Sequence, residues 1–201
     1  MYVFLLTFNL IIMQTNYKYI LMAGIVASAL FSACEKKDPV IPNEEEIITT
    51  LTYTLTPVNA GDVVVLTFKD LDGDGGNDPV ITGGTLSSNT VYTGTLSLLN
   101  ETESPAGDVG AEIKGEDEAH QFFFQALGGL DVGVDYTDTD SEGHPVGLET
   151  TVTTGNASLG QLSVILRHQP DKSAAGVADG DITNAGGETD IEVIFDVEIS
   201  N

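Results

Sequence analysis

The sequence predicts an all-β protein: an Ig-like antiparallel β-sandwich of about seven to nine strands, with a closed β-barrel as the alternative. Three observations lead there. Apolar and polar residues alternate in several long runs, glycine-containing turns separate the runs, and no window sustains a helical period.

The first run is "IITTLTYTL" (47–55). Ile47, Leu51, Tyr53 and Leu55 share one face, and Ile48, Thr50, Thr52 and Thr54 the other. "IEVIFDVEIS" (191–200) alternates more strictly, with Ile191, Val193, Phe195, Val197 and Ile199 against Glu192, Asp196 and Glu198. Between them, strands are expected near 62–69, 91–100, 119–127, 130–137 and 159–168, with short additions near 81–86 and 148–153. "PVNAGD" (57–62) and "LGGLD" (127–131) read as hairpin turns. The segment 106–120 has room for one short helical turn, but its glycines predict a solvated loop.

An internal repeat crosses this pattern. "FKDLDGDGGNDPV" (68–80) matches "YTDTDSEGHPV" (136–146), and "YTGTLSLL" (92–99) falls on "SLGQLSVI" (158–165). The β-domain, 47–201, therefore divides into copies at about 47–127 and 128–201, with pseudo-twofold symmetry expected.

The segment before the domain reads as an address. "YKYILMAGIVASALFSAC" (17–34) places a Lys, an apolar run and small residues ahead of Cys34, the single cysteine. This is the layout of a signal peptide over 1–33, with Met13 as a candidate start. "LFSAC" has the form of a lipobox, which makes Cys34 the lipidation site. The charged, proline-containing stretch up to Glu46 reads as a tether. The expected location is the outer membrane of a Gram-negative envelope, facing the periplasm or the surface.

Seven Lys and Arg stand against 31 Asp and Glu, for a net charge of −24. Such a surface repels nucleic acid. One cysteine excludes an internal disulfide and any multi-cysteine metal site.

Four groups of residues are candidates for chemistry. The first acidic loop spaces Asp70, Asp72 and Asp74 as a calcium loop opens, with Gly75 at the turn and Asp78 near to complete a shell. Position 12 is Ile81 rather than Glu, so this is not an EF-hand. The second loop offers Asp138, Asp140 and Glu142 in the same frame. The structural alternative for both is a polar turn. Glu118 and His120 on one strand, with His168, Glu188 and Asp190, form a possible transition-metal or polar cluster. Phe122, Phe123 and Phe124 are too many consecutive aromatics for one strand face, so one side is either an interaction patch or covered by the 106–118 loop. No nucleophile elbow, zincin helix or phosphate loop occurs.

The string "NEEEIITT…DLDGDGGNDPV…YTGTLSLLNE…HQFFF…LRHQPDK…GGETDIEVIFDV" resembles a family of small lipoproteins of Bacteroidota-type bacteria, over nearly the whole mature chain. Some members carry the label of a type 1 periplasmic-binding fold, which implies alternating helices and strands. The resemblance implies an envelope location and a single domain, and assigns no activity.

The expected function is a lipid-anchored, non-enzymatic binding or interaction module, stabilised by calcium, with a protein or glycan partner. The alternative is an envelope accessory protein that captures a ligand or a metal. A hydrolase with unidentified carboxylates is the third reading.

Overall fold

The computed structural model describes residues 46–73 and 76–201. The signal peptide, Cys34, most of the tether, Asp74 and Gly75 lie outside the described residues. The described part falls in one compact unit, Glu44–Asn201.

Two sheets face each other without closing into a barrel. The first contains β1 (Thr50–Pro57), β2 (Val64–Lys69), β3 (Val80–Thr82), β5 (Val91–Asn100), β8 (Val132–Tyr136) and β9 (Glu149–Thr154), in the order β3-β2-β1-β5-β9-β8. A two-residue strand, β6 (Gly107–Asp108), pairs with β5. The second sheet has the order β4-β11-β10-β7, from β4 (Gly84–Ser87), β7 (His120–Leu127), β10 (Ser158–His168) and β11 (Glu188–Ser200).

The period-two pattern explains which residues enter the space between the sheets. Leu51, Tyr53 and Leu55 of β1 are buried, and so are Ile191, Val193, Phe195, Val197 and Ile199 of β11. Each apolar side chain fully removed from water stabilises the fold by about 1.5–3 kcal/mol. Ile47 departs from the expectation. It is 60% exposed, because β1 starts only at Thr50 and the pleat does not reach back to it.

Three further expectations are corrected. The pair β4–β11 is parallel, so the second sheet is mixed. The "LGGLD" turn is not a hairpin: it carries the chain from β7 in one sheet to β8 in the other, with Gly128 and Gly129 at positive φ. The segment after β6 forms a helix, α1 (Val109–Gly115), rather than a solvated loop. Asp108 caps it by accepting from the Ala111 N–H, and Val109 and Ile113 turn into the core. In keeping with the all-β expectation, α1 is the only α-helix among the described residues, so the alternation of a periplasmic-binding fold is not met there.

The outer face of β7 is also covered. Phe122 joins the central core, while Phe123 packs on the opposite side with Ile165, Val177 and Ala185. The cover is the excursion 169–187 between β10 and β11, which includes 3-10 turns at Val177–Asp179 and Ile182–Asn184. Its hold on β7 includes a hydrogen bond from Gln121 Nε2 to the Val177 carbonyl.

Candidate metal centre

The site lies where β7 begins and β10 ends. His120 and His168 are partners in the β7–β10 register, and their ring centroids are 4.6 Å apart. Even-numbered residues of β7 and β10 face the sandwich interior, so both imidazoles point inward.

Asp190 reaches them through an irregularity. On β11, Ile191 pairs with Leu166 and Thr189 with Arg167, so Asp190 is an extra residue at a register shift. Strict alternation would send Asp190 away from the face that holds Ile191. A bulge re-aims a side chain at such a point. The Asp190 side chain is fully buried, with Oδ2 3.9 Å from His120 Nε2 and Oδ1 3.8 Å from His168 Nδ1.

Two more carboxylates approach. Glu46 Oε1 is 3.9 Å from His120 Nε2, and Glu46 and Glu116 form with His120 a second group of potential ligands, which shares only that histidine with the first. Glu116 also fixes the His120 ring, because its backbone oxygen lies 3.1 Å from His120 Nδ1. A carbonyl only accepts, so Nδ1 carries the proton and the neutral ring presents a lone pair at Nε2.

Burial holds the His120 pKa below the ordinary imidazole value, which favours the neutral ring. Burial, then the negative charges of Glu112, Asp190 and Glu116, raise that of Glu46. His120 Nε2 and His168 Nδ1 are both buried and make no hydrogen bond among the described residues. The result is a basic nitrogen facing carboxylate oxygens in a site sheltered from water. Imidazole nitrogens and carboxylate oxygens are the donors that a divalent transition metal takes.

The ligand geometry suits such a cation. The ligand atoms of His120, His168 and Asp190 lie within 4.8 Å of one another. Tetrahedral zinc, with bonds of about 2.0–2.1 Å, spaces its ligands about 3.3 Å apart. The side chains would therefore have to close in, by up to about 1.5 Å at the widest separation, to form a zinc shell.

The other residues of the expected cluster go elsewhere. Glu118 sits in the 3-10 turn Asp117–Ala119, before β7 starts, and accepts a hydrogen bond from Ser141 Oγ. It therefore does not share a strand face with His120. Glu188 is exposed on β11, opposite His168 in the register. Glu46 and Glu116 were not legible in advance, since neither belongs to the alternating pattern that identifies the histidine strand.

The acidic loops have local partners. In the first, Asp70 Oδ1 accepts from the Gly73 N–H at 2.9 Å, and Asp72 Oδ2 from Asn77 Nδ2 at 2.6 Å. Hydrogen bonds from Asn77 lower the Asp72 pKa. Asp78 is exposed.

In the second loop, Asp138 accepts from the N–H groups of Gly147 and Leu148, and Asp140 from those of Glu142 and His144. Lys172 supplies the positive charge there. Its Nζ donates to Asp140 Oδ2 at 3.0 Å, and to the carbonyls of Asp117 and Pro145. Three acceptors use all three ammonium donors. Glu142 is left outward, its side chain 69% exposed.

The aromatic patch expected on β7 does not exist as a surface. Phe122 and Phe123 are fully buried, and the half-buried Phe124 packs against Tyr53 and Tyr136 at 5.6 and 6.2 Å. The cover over Phe123 comes from 169–187, not from 106–118.

The chain matches no family model, and no curated protein or solved structure matches it either.

Proposed function

We propose that this chain is a non-enzymatic, lipid-anchored protein of the cell envelope whose β-sandwich captures a divalent transition metal. Zinc fits the donor set best: two imidazole nitrogens with carboxylate oxygens suit a borderline-soft cation. The observation that carries this reading is the pair of buried, hydrogen-bond-free nitrogens, His120 Nε2 and His168 Nδ1, both within 4 Å of Asp190. The envelope location rests on the signal-like stretch and lipobox ending at Cys34.

The calcium-stabilised interaction module is the second reading. The spacing of Asp70, Asp72 and Asp74 favours it. The burial of Phe122 and Phe123 means that β7 does not offer it an exposed aromatic patch.

The test is a zinc titration of the full chain in detergent, against a competing chelator. One zinc per chain is expected, lost in His120→Ala and in His168→Ala while circular dichroism keeps its β signature. Binding of equal strength in those variants, or none in the parent protein, overturns the proposal.

A further inference from the structure

The side chains of His120 and Asp190 are fully buried, and that of His168 is 9% exposed. A metal site so enclosed needs an entry path. The second group of potential ligands, Glu46, Glu116 and His120, leads outward from it. Glu116 is exposed, and the Glu46 side chain is 15% exposed. Burial therefore rises in steps from Glu116 through Glu46 to His120 and Asp190.

The two groups meet at one atom. His120 Nε2 is 3.9 Å from Glu46 Oε1 and 3.9 Å from Asp190 Oδ2, and no carboxylate belongs to both groups. The other nitrogen, Nδ1, donates to the Glu116 backbone oxygen at 3.1 Å. The ring thus has a single lone pair to offer, and one lone pair holds one ion. The groups are two alternative positions for one ion, not a two-metal centre.

Building on the metal reading above, we infer that Glu46 and Glu116 form an entry station, which receives the ion together with His120 and passes it inward to His168 and Asp190. His120 Nε2 holds the ion in both positions. In the transfer, the two glutamate oxygens leave the ion, and His168 Nδ1 and an Asp190 oxygen replace them. The inner position is the resting one, because a second imidazole suits zinc better than a second carboxylate does. The outer position suits the first encounter, since exposed carboxylates attract a hydrated cation and can displace its waters one at a time.

An entry station and a ligand of the resting ion differ in what their loss changes. Without the station, loading and release slow by the same factor and the affinity stays. Without a ligand, release speeds up and the affinity falls. Stopped-flow mixing of the full-length chain in detergent with zinc, and of the loaded chain with excess chelator, reads both rates. Glu46→Gln/Glu116→Gln should load and release zinc about tenfold more slowly than the parent, at unchanged affinity. Glu112→Gln/Glu118→Gln, which removes the same charge from exposed positions nearby, should keep rates close to those of the parent. If the parent binds no zinc, the metal reading falls and takes the entry station with it. Unchanged rates in Glu46→Gln/Glu116→Gln would overturn the station and leave the inner site intact. Faster release with weaker affinity would overturn it by making the glutamates ligands of the resting ion. Equal slowing in both double variants would overturn it too, leaving only general attraction by surface charge.

Discussion

Lys172 shows how one residue can settle a loop. Its side chain is 5% exposed and that of Asp140 is 1%, so the pair is shielded from water on both sides. Removing one partner of a buried pair strands the other, at a cost of about 3–5 kcal/mol. Lys172→Met should therefore lower stability by that amount in denaturant unfolding. A loss below about 1 kcal/mol, the range of an exposed pair, would mean that the ammonium is not buried in solution. Burial opposes ionisation of Asp140, but the hydrogen bonds and charge of Lys172 outweigh it and hold its pKa below the usual carboxylate range. The stability this confers is present above the unfolded-state pKa, near about 3.9, and disappears as pH falls through the lower folded value. In Lys172→Met that acid-dependent increment should shrink.

Gly94 settles the core of the first sheet in a similar way. On β5 it lies opposite Thr150 of β9 and Leu55 of β1, where Tyr53 OH and Thr150 Oγ1 meet at 2.7 Å. A Cβ there would clash with Thr150 Oγ1 and stand 2.7 Å from Tyr53 OH. The missing side chain is the space through which the strands on either side of β5 share a buried hydrogen bond.

At the scale of elements, alternation was easy to read and its interruptions were not. The inner faces of β1 and β11 follow from period two, and so do the small strands near 81–86 and 148–153, found as β3, β4 and β9. Asp190 does not follow, because one extra residue reverses which face it joins. Helix α1 was obscured by Gly110 and Gly115, whose low helix propensity is offset by the Asp108 cap and by burial of Val109 and Ile113. The excursion 169–187 has neither period, so nothing in the sequence marked it as the cover of Phe123. That cover predicts the result of Phe123→Ala: a loss of about 3–5 kcal/mol, the cost of a large cavity. An exposed Phe123 would give a loss below about 0.5 kcal/mol in the same unfolding measurement.

Over the whole molecule, the two acidic loops mark opposite edges of the first sheet. The first lies between β2 and β3, and the second between β8 and β9. Their similar sequences reach different local solutions: side-chain and backbone donors within the first loop, and a lysine from a distant segment in the second. The β-sandwich was legible because its strands are long and its turns are marked. The histidine cluster was legible in part, since strand pairing brings His120 beside His168 and β11 next to them. Glu46 and Glu116 were hidden because only the closed fold brings the ends of separate elements to one point.

The charge of −24 makes weak attraction for any cation unavoidable, so stoichiometry alone would not identify the site. X-ray absorption at the zinc edge of the full chain loaded with one zinc reads the ligands directly. Two imidazole nitrogens together with carboxylate oxygen at about 2.0–2.1 Å are predicted. A shell of oxygens alone would place the ion on the acidic surface and contradict the account.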